Sequence, residues 1–176
     1  GKAAPADSCG DNPSSRRLVV SEIRKPAISI APEDPRQPEV RQLIAMSDDY
    51  LVALYPSASN HLVGVVALAA PSAVFLVARV DGEALGAIAF RPIAPDHAEM
   101  KRMFVRADAR GRGLGRRLLE ALEDAARSRQ ITRISLETGI RQPEAIALYR
   151  ASGYRECPPF GSYAPDPLSL FMTKHL

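Results

Sequence analysis

Hydrophobic positions along this chain change period several times, and each change marks an element. Apolar residues run almost unbroken through 74–80 and again through 84–90, separated by Asp81-Gly82-Glu83. That pattern predicts a β-hairpin, with Asp-Gly supplying the tight turn. Further on, Leu114, Leu118, Leu119, Leu122, Ala125 and Ala126 recur at helical spacing. Val40, Leu43, Ile44 and Leu51 place a second helix over 38–54, entered from a Pro-Glu-Asp-Pro turn and ended by Pro56. A third helix, 142–152, carries Pro143 in its first turn and Gly153 as its stop. Strands are expected over 19–30, 97–105, 131–137, 154–157 and 168–174. Segment 57–71 stays open: it is apolar, and Ser59 or Asn60 could cap a helix running through Ala69. Residues 1–17 lack periodicity and read as a disordered extension of a domain spanning 18–176. Strands interleaved with helices indicate an α/β sandwich.

Composition narrows the class. A chain of 176 residues, 46% hydrophobic and 24% charged, suits one soluble domain with a full core. No apolar run reaches the ~18 residues of a membrane span, and the best candidate, 62–78, is interrupted by Pro71 and Ser72. No membrane partner is therefore expected. Cys9 and Cys157 make neither a disulfide framework nor a ligand set, and His61, His97 and His175 lack ligand spacing. No metal and a reducing, cytoplasmic setting are the expectations, since no secretory signal is visible. The net charge of +3 is unevenly spread: residues 101–133 hold ten Lys/Arg against four Asp/Glu. Such a field steers polyanions. Nucleic acid is not expected, because the basic residues lack interleaved aromatics and no DNA-binding signature accompanies them.

The chemistry concentrates in Arg110-Gly111-Arg112-Gly113-Leu114-Gly115, between a strand and a helix. Glycine tolerates positive φ and lets an anion approach the main chain. Alternating glycines let successive amides form a concave nest at the positive end of a helix dipole. Arg116 and Arg117 add charge. No Gly-Lys-Ser/Thr follows, which excludes a Walker loop. A dinucleotide fingerprint would need glycine where Arg116 stands.

Arg110-x-x-Gly113-x-Gly115 resembles the acyl-coenzyme A signature of the GCN5-related N-acetyltransferase (GNAT) superfamily. Glu99-Met-Lys-Arg-Met-Phe-Val105 resembles the strand before that loop. Ala145-Ile-Ala-Leu-Tyr149-Arg-Ala-Ser-Gly153-Tyr154 resembles the later helix and strand. The resemblance runs from about Phe75 to the C-terminus, and the 158–174 run is similar to a bacterial subgroup. It implies a mixed, mostly antiparallel seven-stranded sheet, splayed between strands 4 and 5 and flanked by about four helices. It also implies acetyl-CoA as co-substrate, held by the backbone of Met103, Phe104 and Val105 and by Arg110, Gly111, Arg112, Gly113, Leu114, Gly115 and Arg116. Gln142 stands where many members carry a cofactor-contacting asparagine.

By the same resemblance Tyr149 is the candidate general acid. Glu99 is the leading general base and Glu137 its rival, burial being expected to raise the pKa of either toward a useful range. Simple strand alternation places Glu99, Lys101 and Met103 on one face. Acceptor-lining candidates are Tyr55, Asn60, His61, Tyr163 and Asp166. The implied reaction is direct acetyl transfer to a primary amine, with a small-molecule acceptor favoured over a protein one and a homodimer left open. The rival reading is a coenzyme A-binding sensor without turnover.

Overall fold

Asp81 and Gly82 both take positive φ, 50° and 90°, and fold β2 (Val74–Val80) back onto β3 (Glu83–Ala94). This computed structural model describes residues 24–176. The extension read at 1–17 and the first residues of the strand read at 19–30 lie outside them. The element order is β1 (Ile28–Pro32), α1 (Pro38–Leu54), α2 (Val65–Leu68), β2, β3, β4 (His97–Val105), α3 (Leu114–Ser128), β5 (Arg133–Gly139), α4 (Pro143–Ala151), β6 (Arg155–Glu156) and β7 (Ser169–His175). Segment 57–71 resolves into a 3-10 turn, Ser57–Ser59, and the single turn α2, capped by Gly64. Asn60 instead donates its side-chain amide to Tyr55 O at 3.1 Å, so neither Ser59 nor Asn60 caps a helix there.

The seven strands form one sheet in the order β1-β2-β3-β4-β5-β7-β6. All pairs are antiparallel except β4 with β5, which are joined through the α3 crossover. Leu118, Leu119, Leu122 and Ala126 of α3, with Tyr149 of α4, pack on one face against Ile88, Phe90, Met100 and Ile134. Val40, Leu43 and Ile44 of α1 cover Phe75, Val77, Ala87 and Ala89 on the other. The periods read from the sequence thus correspond to two apolar layers sandwiching the sheet.

Two irregularities position the site. The parallel pair contains only His97↔Arg133, Ala98↔Ile134 and Glu99↔Ser135; beyond Glu99 the strands diverge, leaving one edge of β4 without a strand partner among the described residues. The second is a bulge: Ala87 pairs Phe104 and Ala89 pairs Lys101, so Arg102 and Met103 together oppose Ile88. Arg102 takes φ +58° at this point. Its guanidinium pairs with Asp48 and donates through Nε to Val63 O at 3.0 Å, which ties α1 and the following loop to the bulge. The bulge reverses the alternation. Lys101 shares a face with Glu99, bonded to it at 2.9 Å, but Met103 turns to the α3 face. The expectation that Glu99, Lys101 and Met103 share one face is therefore corrected at residue 103.

A clamp bridges the open ends. A Cβ on Gly139 would stand 2.0 Å from the Tyr55 ring and hydroxyl, so only glycine lets the ring lie on β5. The Tyr55 hydroxyl accepts the Arg141 backbone N–H at 2.9 Å, and the Arg141 side chain donates to Leu54 O at 2.5 Å. We expect Gly139→Ala to expel the ring and destabilise the fold by roughly 1–3 kcal/mol, as overpacking does, read as a lower urea midpoint with unchanged m-value.

At the closed end, buried His97 accepts from Arg133 Nη2 on Nδ1 at 3.0 Å. A guanidinium only donates, so the ring proton sits on Nε2, which donates to Ser135 Oγ at 2.8 Å; Ser135 in turn donates to Thr173 Oγ1 at 2.9 Å. Burial first, then Arg133, holds the His97 pKa below its usual 6.5. The unfolded chain therefore binds the extra proton more readily. The His97 contribution is complete above pH 6.5 and is lost as pH falls from there toward the lowered folded value. Urea titrations at pH 7.5 and 5.5 are expected to show a smaller loss of stability on acidification in His97→Gln than in the parent chain.

Candidate active site

Gly111 and Gly113 take φ +75° and +76°, and no atom lies within 4 Å of where a Cβ would stand on either. Their conformations turn the chain from β4 into α3 and leave main chain facing open space. The first amide of this stretch to find a helical acceptor is that of Arg117, which donates to Gly113 O at 3.2 Å. The N–H groups of Leu114, Gly115 and Arg116 point out of the helix start with no helical partner. Gly115 has a different task. A Cβ there would meet Leu148 Cδ2 at 3.0 Å and Met103 Cε at 3.1 Å, so its absence lets α4 and β4 close on the start of α3. Two glycines hold the turn open and the third permits close packing.

A cavity of about 600 Å³ occupies the splay. At one end it touches Arg110, Gly111, Gly113, Leu114, Gly115 and Arg116; along its length it touches Met103, Phe104 and Val105. Gln142 also lines it, and its Oε1 lies 3.5 Å from the Tyr55 hydroxyl. Arg112 is exposed and does not line it. Arg110 lies over the Tyr50 ring at 5.1 Å and has no carboxylate partner among the described residues, whereas Arg116 pairs with Glu120 at 3.1 Å. Much of the local positive surplus is neutralised in this way: Arg106 meets Glu83 and Asp108, and Arg127 meets Asp124. What remains fits a diphosphate: side-chain-free glycines, unbonded amides and an arginine at the rim.

Tyr149, Glu137, Tyr55, Asn60 and His61 line the cavity, while Glu99, Tyr163 and Asp166 do not. Tyr149 is buried, and no hydrogen bond of its hydroxyl is found among the described residues. Burial, aided by the Glu137 charge, pushes its pKa up, so the phenol keeps its proton at neutral pH. Glu137 accepts a hydrogen bond from Ser169 Oγ at 2.6 Å.

Glu99 is 1% exposed and fully engaged. Arg91 Nε donates to Oε2 at 2.8 Å, the Tyr163 hydroxyl donates to Oε1 at 2.5 Å, and Lys101 Nζ stands 2.9 Å away. Burial alone would raise this carboxyl's pKa, but the Tyr163 bond and the cations outweigh it and hold it below the ordinary value. This direction is opposite to the one expected from burial in the sequence, which did not show the partners. Tyr163 sits edge-on to His61 at 5.0 Å and to Phe160 at 5.3 Å, so the 157–168 loop rests on an aromatic stack beside the cavity. Asp166 accepts the Leu168 N–H at 2.8 Å, which shapes the turn entering β7.

Tyr50, Thr138, Gly139 and Arg141 also line the cavity and were not singled out from the sequence. No motif marks them; only the meeting of α1 with the β5–α4 junction does. Among the described residues no group of three His, Cys, Asp or Glu is placed to hold a metal ion, and no helix is long and apolar enough to cross a membrane.

The model of the GNAT acetyltransferase family matches residues 32–154. The IAA acetyltransferase of Azospirillum brasilense is 50% identical over 155 residues, 86% of this chain and 99% of its own. A candidate acyl-CoA N-acyltransferase from Klebsiella pneumoniae superposes with a TM-score of 0.72 at 37% identity, over 85% of this chain and 97% of that one. A GNAT acetyltransferase from Elizabethkingia anophelis, solved with acetyl-CoA bound, shares the fold at a TM-score of 0.61 and 18% identity, over 85% and 98% of the two chains. A family match running from the first strand to Tyr154, and a relative half identical along nearly its whole length, make this chain an acetyltransferase of the GNAT family, whose acyl donor is acetyl-CoA.

Proposed function

We propose that this enzyme acetylates the primary amine of a small molecule by direct attack, with Glu137 accepting the amine proton and Tyr149 protonating the departing thiolate. When bound, acetyl-CoA supplies a thioester whose C–S bond is exchanged for the C–N bond of the product amide. The amides from Gly113 to Arg116, the free edge of β4 at Met103, Phe104 and Val105, Arg110 and Gln142 are the groups that would hold it. One observation carries the reading: a protonated phenol and a carboxylate, with no hydrogen bond to the first and no cation on the second among the described residues, line the same cleft.

Tyr149 fits the acid's role because burial and the Glu137 charge keep its proton in place until a stronger base develops nearby. Glu137 fits the base's role because its one recorded hydrogen bond, to Ser169 Oγ, leaves acceptor capacity free. Glu99 suits a positioning role, since three donors already occupy it and lower its basicity. Cys157, the one cysteine among the described residues, does not line the cavity, and burial raises its thiol pKa, so it is no candidate for a covalent route. Asn60 and His61 are the acceptor-side groups that line the cleft, with Tyr163 and Asp166 shaping the loops behind them. The clamp of Tyr55 and Arg141 favours a small acceptor over a protein chain.

Coenzyme A thiol release measured against a panel of amines tests this. Tyr149→Phe is expected to lower kcat by roughly 10²- to 10⁴-fold, with the calorimetric affinity for acetyl-CoA unchanged. Glu137→Gln is expected to lose a similar factor in kcat, whereas Glu99→Gln is expected to lose a smaller one. Binding of acetyl-CoA without thiol release for any amine would instead identify a sensor.

A further inference from the structure

Of the seven Lys, Arg, Asp and Glu residues lining the cavity, three are matched inside the protein. Lys101 is paired with Glu99, Arg102 with Asp48 and Arg116 with Glu120. Arg110 stands at the glycine-loop end, against Tyr50 and Val105 O. Glu137, Arg141 and Glu144 remain without an ionic partner among the described residues; Glu137 and Arg141 flank the clamp, and Glu144 follows in the first turn of α4. Glu137 holds only the Ser169 hydroxyl, and Arg141 holds only the Leu54 carbonyl and lies over the Tyr55 ring at 5.9 Å.

Residues 137 and 141 are close enough in sequence to pair, and the structure keeps them apart. Gly139 lies between them, and the Tyr55 ring fills the space above it. The phenol is fixed there by the Arg141 backbone N–H. Burial raises the Tyr55 pKa; Glu137 raises it further while Arg141 opposes, so both charges act on the same hydroxyl. A carboxylate and a guanidinium held open on one cavity wall, separated by a phenol, complement a molecule carrying an amine and a carboxylate. Glu137 is half-buried and Arg141 exposed, so a ligand ammonium would offset the partial desolvation of the first and a ligand carboxylate would gain a charge-assisted contact with the second.

We infer that the acceptor is a small amino acid, its amine directed at the Glu137 carboxylate and its own carboxylate held by the Arg141 guanidinium. This deepens the acetyl-transfer reading and rests on it. A guanidinium is suited to the task because its planar fork takes a carboxylate through two parallel hydrogen bonds. Leu51, Leu62 and Phe104 line the same cavity and offer apolar surface to the rest of the molecule.

The probes are free α- and ω-amino acids, their carboxamides and the corresponding decarboxylated amines, assayed by thiol release with acetyl-CoA. Free acids are expected to be the better substrates, with the carboxamides and plain amines showing KM values about 10- to 100-fold higher, the worth of a charge-assisted contact. Arg141→Gln is expected to raise KM for the free acids by the same factor and erase their advantage over the amides. Arg141→Lys should restore part of it, and calorimetric affinity for coenzyme A should stay within about twofold. Equal turnover of acids and amides overturns the inference while leaving acetyl transfer intact. Weakened coenzyme A binding in Arg141→Gln overturns it too, by assigning the guanidinium to the donor. No turnover of any amine removes the acetyl-transfer reading and this inference with it.

Discussion

The site depends on the shortness of one parallel ladder. β4 and β5 share only the pairs from His97↔Arg133 to Glu99↔Ser135, and every feature of the cleft follows from their separation beyond that point. Continued pairing would leave no free edge on β4 and no space between Met103 and Leu136. The ladder's closed end is reinforced where it exists: His97, Ser135 and Thr173 form a chain of hydrogen bonds across three strands. Its open end is held by groups that bridge the gap, with Tyr55 on Gly139 and Arg102 gripping Asp48 and Val63. A sheet that opens in this way must supply such bridges, because unpaired strand edges otherwise seek partners.

The bulge at Arg102 is the second half of the same arrangement. An extra residue in β4 turns Met103 toward α3 and leaves Phe104 on the α1 side, so the strand end presents a different face from its start. The positive φ this requires is unfavourable for arginine, and the nearly enclosed guanidinium contacts offset it. Backbone conformation and side-chain anchoring are thus coupled at one residue.

Much of this was legible in the sequence for local reasons. α1 carries its apolar stripe and proline boundaries, so its extent is fixed by short-range pattern, and the Asp81-Gly82 turn and the stop at Gly153 follow from backbone preference. The glycine loop was legible too, because few other purposes require such spacing. The role of Glu99 was less so. A carboxylate on a strand reads the same whether it faces solvent, a substrate or three donors, and Arg91, Lys101 and Tyr163 reach it from different parts of the chain. Strand alternation also failed at Met103, since the bulge is set by pairing with β3 rather than by any residue pattern within β4.

Sequence by itself determined the elements, their order, the glycine loop and the presence of Tyr149 on an amphipathic helix, because these rest on spacing and on the conformational limits of glycine and proline. Tertiary structure alone decided which carboxylate is free and which is saturated. It also decided which of the glycines admits a tyrosine ring, and it brought Tyr50, Tyr55 and Arg141 to the same cleft. The decisive contacts join residues far apart in the chain, Tyr163 with Glu99 and Tyr55 with Arg141, and no local periodicity encodes a distance of that kind.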